Sequence, residues 1–127
     1  MNGLFHQRSG IELAEPYTKH YSPAGHRNKT EYSTFRPGVD KDFFKNYQKF
    51  ATDGKTRDIP GGHYDAGDWN PRAHLEVAEV LFLLYELNGA AFTDGQFNIP
   101  ENKNGLPDIL DEAQWALDLW LRLQDDD

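Results

Sequence analysis

Gly61-Gly62-His63-Tyr64-Asp65-Ala66-Gly67-Asp68-Trp69-Asn70 lies near the middle of this 127-residue chain, and the sequence on its two sides has different character. Within it two carboxylates stand three residues apart, with only Ala66 and Gly67 between them. Small residues permit a tight backbone path and close approach of a ligand. Asp65 and Asp68 can therefore face one point, such as a water molecule, orient it and take its proton, which is general-base work. Tyr64 and Trp69 flank the pair with flat apolar rings, and His63 and His74 are candidates to contact the same ligand. Spacing alone also allows a plainer reading, in which Asp68 caps the helix that follows Pro71 and Asp65 makes a turn.

Downstream, the spacing predicts two helices. From Ala73 to Leu87 the glutamates fall at 76, 79 and 86 and form one stripe, while Leu75, Val77, Ala78, Val80, Leu81, Phe82, Leu84, Tyr85 and Leu87 cover most of the remaining surface. That is a helix with a narrow wet face, and Asn88-Gly89 is a usual stop. After a loop through Asn104-Gly105, Pro107 suits a first helical position, and Asp108, Asp111 and Glu112 complement the positive end of a helix running to about Gln124. Asp111, Gln114, Asp118 and Arg122 form its polar stripe, and Trp115 and Trp120 read as core. A hairpin buries one stripe of each helix. Two helices that are apolar over more than half their circumference imply further partners, either more helices or other copies.

Upstream, residues 1–60 read as irregular structure. Ser9-Gly10, Ser22-Pro23-Ala24-Gly25, Arg36-Pro37-Gly38, Asp53-Gly54 and Pro60-Gly61-Gly62 are turn signals, with aromatic residues interleaved. Only Asp40 to Ala51 suggests a helical turn or two. Charge divides at the same place. Residues 1–60 hold ten Lys/Arg against seven Asp/Glu, whereas residues 61–127 hold three against fourteen. The net charge of −8 argues against a nucleic-acid partner, since phosphate binding needs a basic face. With no cysteine, disulfides, thiolate metal sites and cysteine nucleophiles are excluded. No apolar run reaches the roughly 18 residues of a membrane span, so no membrane partner is expected. The first ten residues show no signal-peptide pattern, which leaves the compartment open.

Gly61-Gly62-His63-Tyr64-Asp65-Ala66-Gly67-Asp68 resembles the signature of glycoside hydrolase family 9, the endoglucanase and cellulase family. Asn98-Ile99-Pro100-Glu101 and Asn104-Gly105-Leu106-Pro107-Asp108-Ile109-Leu110-Asp111-Glu112-Ala113 resemble the family's next characteristic segment, in the right order and one helix away. Phe5-His6-Gln7-Arg8-Ser9-Gly10 resembles the opening of members that follow an immunoglobulin-like module. The resemblance implies an all-α fold, part of an (α/α)6 barrel, in which residues 1–60 are lead-in loops and residues 61–127 the base-bearing loop and first helical hairpin. It further implies an inverting O-glycosyl hydrolase acting on a β-linked polysaccharide or oligosaccharide. Asp68 would be the base and Asp65 the residue that holds its water, with Tyr64, Trp69, His63 and His74 against substrate. The general acid, a glutamate of the far end of the domain, is not in this chain, so the fragment alone is expected to be inactive. No cofactor is implied, and the family suggests a secreted or periplasmic setting.

Three departures from the family pattern stand out. His63 occupies a place where relatives usually have an aromatic residue, and Trp69-Asn70-Pro71-Arg72 differs from the common cellulase continuation, so the sugar subsites are expected to differ. Ser9 and Gly25 stand where a zinc site of some relatives has thiols, and no metal site is expected here. Zinc on His6, His26 and His63 and calcium on the loop of Asn102, Asn104 and Gly105 are the metal arrangements the residues offer; Pro100 takes the first ligand place of the latter and Pro107 interrupts it. Glu101 reads as a solvated loop charge. A non-catalytic carbohydrate-binding or helical interaction module is the alternative function, and a downstream glutamate facing Asp68 would decide between them.

Overall fold

The computed structural model describes residues 2–25, 30–33, 51–64 and 74–124, with side chains left aside in both strands and at Asn2. A short helix α1 (Asn2–Phe5) opens the chain. Strands β1 (Thr30–Ser33) and β2 (Ala51–Arg57) follow, then helix α2 (Glu76–Asn88), a 3-10 turn (Gly89–Ala91) and helix α3 (Asp108–Leu123). The two long helices lie where periodicity predicts them, and they pack on each other.

Two details at the helix ends differ from expectation. Pro107 is the N-cap of α3, with φ −59° and ψ 133°, one place before the first helical position. Gly89 keeps a right-handed φ of −54°, so α2 does not end in a left-handed glycine cap. It tightens into the 3-10 turn instead, which closes when the Phe92 N–H donates to the Gly89 carbonyl.

The lead-in, read from sequence as irregular, is not wholly so. β1 and β2 form an antiparallel ribbon that pairs Thr30 with Arg57 and Glu31 with Thr56, and an irregularity then brings Ser33 opposite Ala51. Asp53-Gly54, a turn signal in the sequence, lies inside β2. The helical turn expected over residues 40–51 falls outside the described residues except at Ala51, which opens that strand.

Two apolar clusters hold the rest. Leu81 of α2 meets Ile109 and Ala113 of α3, with Leu4, Val77, Tyr85, Phe92 and Leu110 packed around them. Phe5, Leu13 and Ile99 form the second cluster, joining the N-terminal segment to the loop between the long helices. Burying a side chain such as Leu81 or Ile109 stabilises by about 1.5–3 kcal/mol. That loop is organised by carboxylates that accept backbone N–H bonds. Asp108 accepts from Gly95 and Phe97, and Asp94 accepts from Lys103 and Gly105.

As the sequence implies, one stripe of α2 is covered and the rest is not. Only Ala78 and Leu81 are buried on it, while Val80 and Leu83 are 53 % exposed and Leu87 73 %. On α3, Trp120 and Leu121 are exposed as well, so Trp120 is not core in this chain. Apolar surface on this scale is unusual for a self-sufficient monomer. The isolated 127-residue chain is therefore expected to bind a hydrophobic dye and to melt over a broad range. A sharp, cooperative melt of a monomer, followed by circular dichroism, would contradict this.

Candidate active site

The segment that leads into the two aspartates is pinned from both sides. Arg8 and His63 face each other in an isolated antiparallel bridge. The Tyr64 N–H donates to the Gln7 carbonyl at 2.7 Å, the Ser9 N–H to that of Gly62 at 2.9 Å and the Gly61 N–H to that of Ser9 at 3.0 Å. From the other side, the Gly62 N–H donates to the Trp115 carbonyl of α3 at 2.8 Å. Gly61, at φ +121°, lies so close to α3 that a Cβ there would sit 2.6 Å from the Leu119 nitrogen. A Cβ on Gly10, at φ +83°, would sit 2.4 Å from the Pro60 Cα. Both positions need glycine twice over, for the left-handed backbone and for the missing volume.

Beneath this clamp lies a buried ionic cluster. The Arg8 guanidinium donates to Glu112 in bidentate fashion, Nε to Oε1 at 3.0 Å and Nη2 to Oε2 at 3.1 Å. Its Nη1 donates to Glu101 Oε1 at 2.8 Å. The guanidinium also lies 5.3 Å from the Phe5 ring centre and 4.8 Å from that of Trp115, within cation–π range. His63 Nε2 is 2.6 Å from Glu112 Oε1. Burial by itself would push the Glu112 carboxyl up. The hydrogen bonds from His63 and Arg8, with the Arg8 charge, more than offset that and hold it below its ordinary value. An ionised carboxylate offers only lone pairs, so the proton of the contact resides on His63 Nε2. Burial would likewise lower Arg8, but Glu112 and Glu101 hold it above its ordinary value.

Of the residues expected to face substrate, His63 is placed otherwise. It is 1 % exposed and turned onto Glu112, so it belongs to the interior cluster. Tyr64 is half-buried beside it. His74 sits at the approach to α2, where its Nδ1 meets Glu76 Oε1 at 2.9 Å. Asp65, Asp68 and Trp69 lie outside the described residues.

The metal arrangements weighed from sequence look different in the structure. Asn104 spends its carboxamide on the protein, donating to Asp111 Oδ1 and accepting from the Leu106 N–H. His63 is engaged by Glu112, His6 meets His20 edge-on at 5.7 Å, and His26 lies outside the described residues. Among the described residues, no three His, Asp or Glu side chains converge as metal ligands.

Sequence reasoning missed Arg8, Glu101 and Glu112 as a unit, and gave Asp108, Asp111 and Glu112 only the role of complementing the positive helix start. All three acids are buried. A signal was present in the spacing: Asp108, Glu112, Trp115 and Leu119 recur at intervals of four and three, on one helix face. A face that carries Trp and Leu points inward and takes its carboxylates with it.

No family model matches the chain. Its backbone superposes on a solved metagenome-derived glycoside hydrolase family 9 endoglucanase with a TM-score of 0.76 and 31 % identity, over 99 % of this chain and 21 % of that one. A cellulose 1,4-β-cellobiosidase of Acetivibrio thermocellus is 34 % identical across 95 % of the chain. The chain belongs to glycoside hydrolase family 9.

Other family 9 relatives agree. A Bacteroides ovatus GH9 structure matches with a TM-score of 0.71 and 27 % identity, over 99 % of this chain and 22 % of that one. A xyloglucan-specific endo-β-1,4-glucanase from the same species is 39 % identical over 66 residues, half of this chain and 11 % of the relative. The chain spans 15 % of the length of the cellobiosidase. Within this family 9 segment, the ionic cluster is expected to hold the N-terminal segment to α3. Arg8→Met leaves Glu112 buried without its main countercharge, a change that typically costs about 3–5 kcal/mol, to be read by urea unfolding of the complete domain. The acid limb has a definite sign. A carboxyl held below its ordinary 4.5 contributes stability in full above that pH and loses it as pH falls through the folded value. Melting temperature is thus expected to drop on acidification below about 4.5, and less steeply in Glu112→Gln; equal slopes would refute the assignment.

Proposed function

We propose that the protein to which this chain belongs hydrolyses β-1,4-linked glucan, or a related β-linked oligosaccharide, with inversion at the anomeric carbon. What chiefly supports this reading is the match, over nearly the whole chain, to a family 9 endoglucanase. The relatives include a cellulose 1,4-β-cellobiosidase, an endoglucanase and a xyloglucan-specific endo-β-1,4-glucanase, activities that share a β-glucan substrate. The helices α2 and α3 are then one of the six hairpins of an (α/α)6 barrel, and their exposed apolar faces meet neighbouring hairpins.

In this mechanism Asp65 and Asp68 hold one water between them. Asp68 takes its proton as the water attacks the anomeric carbon from the face opposite the leaving oxygen. A glutamic acid elsewhere in the domain protonates that oxygen as the glycosidic bond breaks. Inverting enzymes keep acid and base roughly 6.5–9.5 Å apart to leave room for the water. Two aspartates separated only by Ala66-Gly67 would make a poor acid–base pair across a glycosidic bond, which suits them to one side of it. Tyr64 and Trp69 flank the pair and would border the sugar.

In the complete enzyme, Asp68→Asn is expected to lower turnover of a soluble β-glucan by about 10²–10⁴ while leaving ligand affinity by calorimetry nearly unchanged. Asparagine keeps the shape but cannot take the proton. Nuclear magnetic resonance of the first product should show the inverted anomer. Full activity in the variant would remove Asp68 from the role of base, and release of the retained anomer would overturn the mechanism.

A further inference from the structure

We propose that Glu112 is a positioning residue for the aspartate-bearing loop and acts through His63; this rests on the assignment of Asp68 as base. His63 stands two residues before Asp65 and five before Asp68. Its backbone is fixed by the bridge to Arg8 and by the bonds of Gly62 and Tyr64 on either side. Those bonds leave the ring free to turn about its own torsions. The contact between Nε2 and Glu112 Oε1, at 2.6 Å, removes that freedom.

Glu112 is itself immobile. It belongs to a sixteen-residue helix, it is 1 % exposed, and both of its oxygens are held by Arg8. The segment that leads to the aspartates is therefore tied to a rigid helix as well as to the N-terminal segment. Functional groups on loops reach productive geometry only when a supporting layer locks them. The cluster is poorly explained as a means of stability alone, since well-packed apolar residues often serve as well as a buried ion pair. Among the described residues, the side chain of this cluster that lies nearest the aspartates in sequence is His63, which at 1 % exposure has no surface to offer a sugar.

The test compares His63→Phe with His63→Gln in the complete catalytic domain, with Asp68→Asn alongside. Phenylalanine fills the space but cannot donate to Glu112; glutamine can. A misplacement of about 1 Å can cost about 100-fold in rate. His63→Phe is thus expected to lower kcat on a soluble β-1,4-glucan by about that factor, with KM within about twofold of the parent. His63→Gln should recover most of the loss. Glu112→Gln, which keeps shape but weakens the acceptor, should lower kcat in the same manner and covers the case in which His63→Phe does not fold. Unchanged kcat in His63→Phe, a loss confined to KM, or equal impairment in the Phe and Gln variants would overturn the proposal. If Asp68→Asn remains active, the assignment of the base has failed; if it is inactive while His63→Phe is not, only the positioning role has.

Discussion

One buried carboxylate organises this structure. Glu112 lies in the first turns of α3, away from water, and the chain supplies two partners to keep it ionised there. Arg8 gives charge and a planar fork that matches both oxygens, and His63 gives a further N–H. To deliver Arg8, the N-terminal segment must run alongside residues 61–64. To deliver His63, those residues must lie against α3, closely enough that Gly61 has no room for a side chain. The glycines, the backbone bonds and the aromatic rings around the guanidinium all follow from satisfying this one group.

The acids of the chain thus divide by task. Asp94 and Asp108 bind amide N–H groups and give the loop between the long helices its shape. Asp111 takes the Asn104 amide, and burial raises its carboxyl above the ordinary range. Glu101 and Glu112 neutralise Arg8. Asp65 and Asp68 remain for chemistry in the proposed function. Counting charges would class all of these together as a solvated acidic half.

What the sequence made legible follows from the range of the interactions concerned. Helices α2 and α3 were readable because their apolar period is local, and so was the surplus of apolar surface that neither covers for the other. The ribbon was not, because Thr30 meets Arg57 far along the chain and Asp53-Gly54 imitates a turn. Asp65 and Asp68 stood out through the resemblance of residues 61–68 to the family signature, since their spacing alone also suits a cap and a turn. The fate of His63 was not, since nothing near it in sequence distinguishes a histidine facing sugar from one facing Glu112. The same limit hid Glu112: an acid near a helix start has an adequate local explanation, and its partners lie far away in sequence.

That separation also sets a clock. Arg8 and Glu112 are 104 residues apart, so the first leaves the ribosome long before the second exists. At about 5–20 residues per second the interval is roughly 5–20 s. Through about the second half of it the nascent chain holds both the guanidinium and the His63 segment but no Glu112 carboxylate to join them. Residues 61–64 therefore gain their contacts with Glu112 and Trp115 only as α3 emerges, so the helix completes a structure that the earlier part of the chain cannot close by itself.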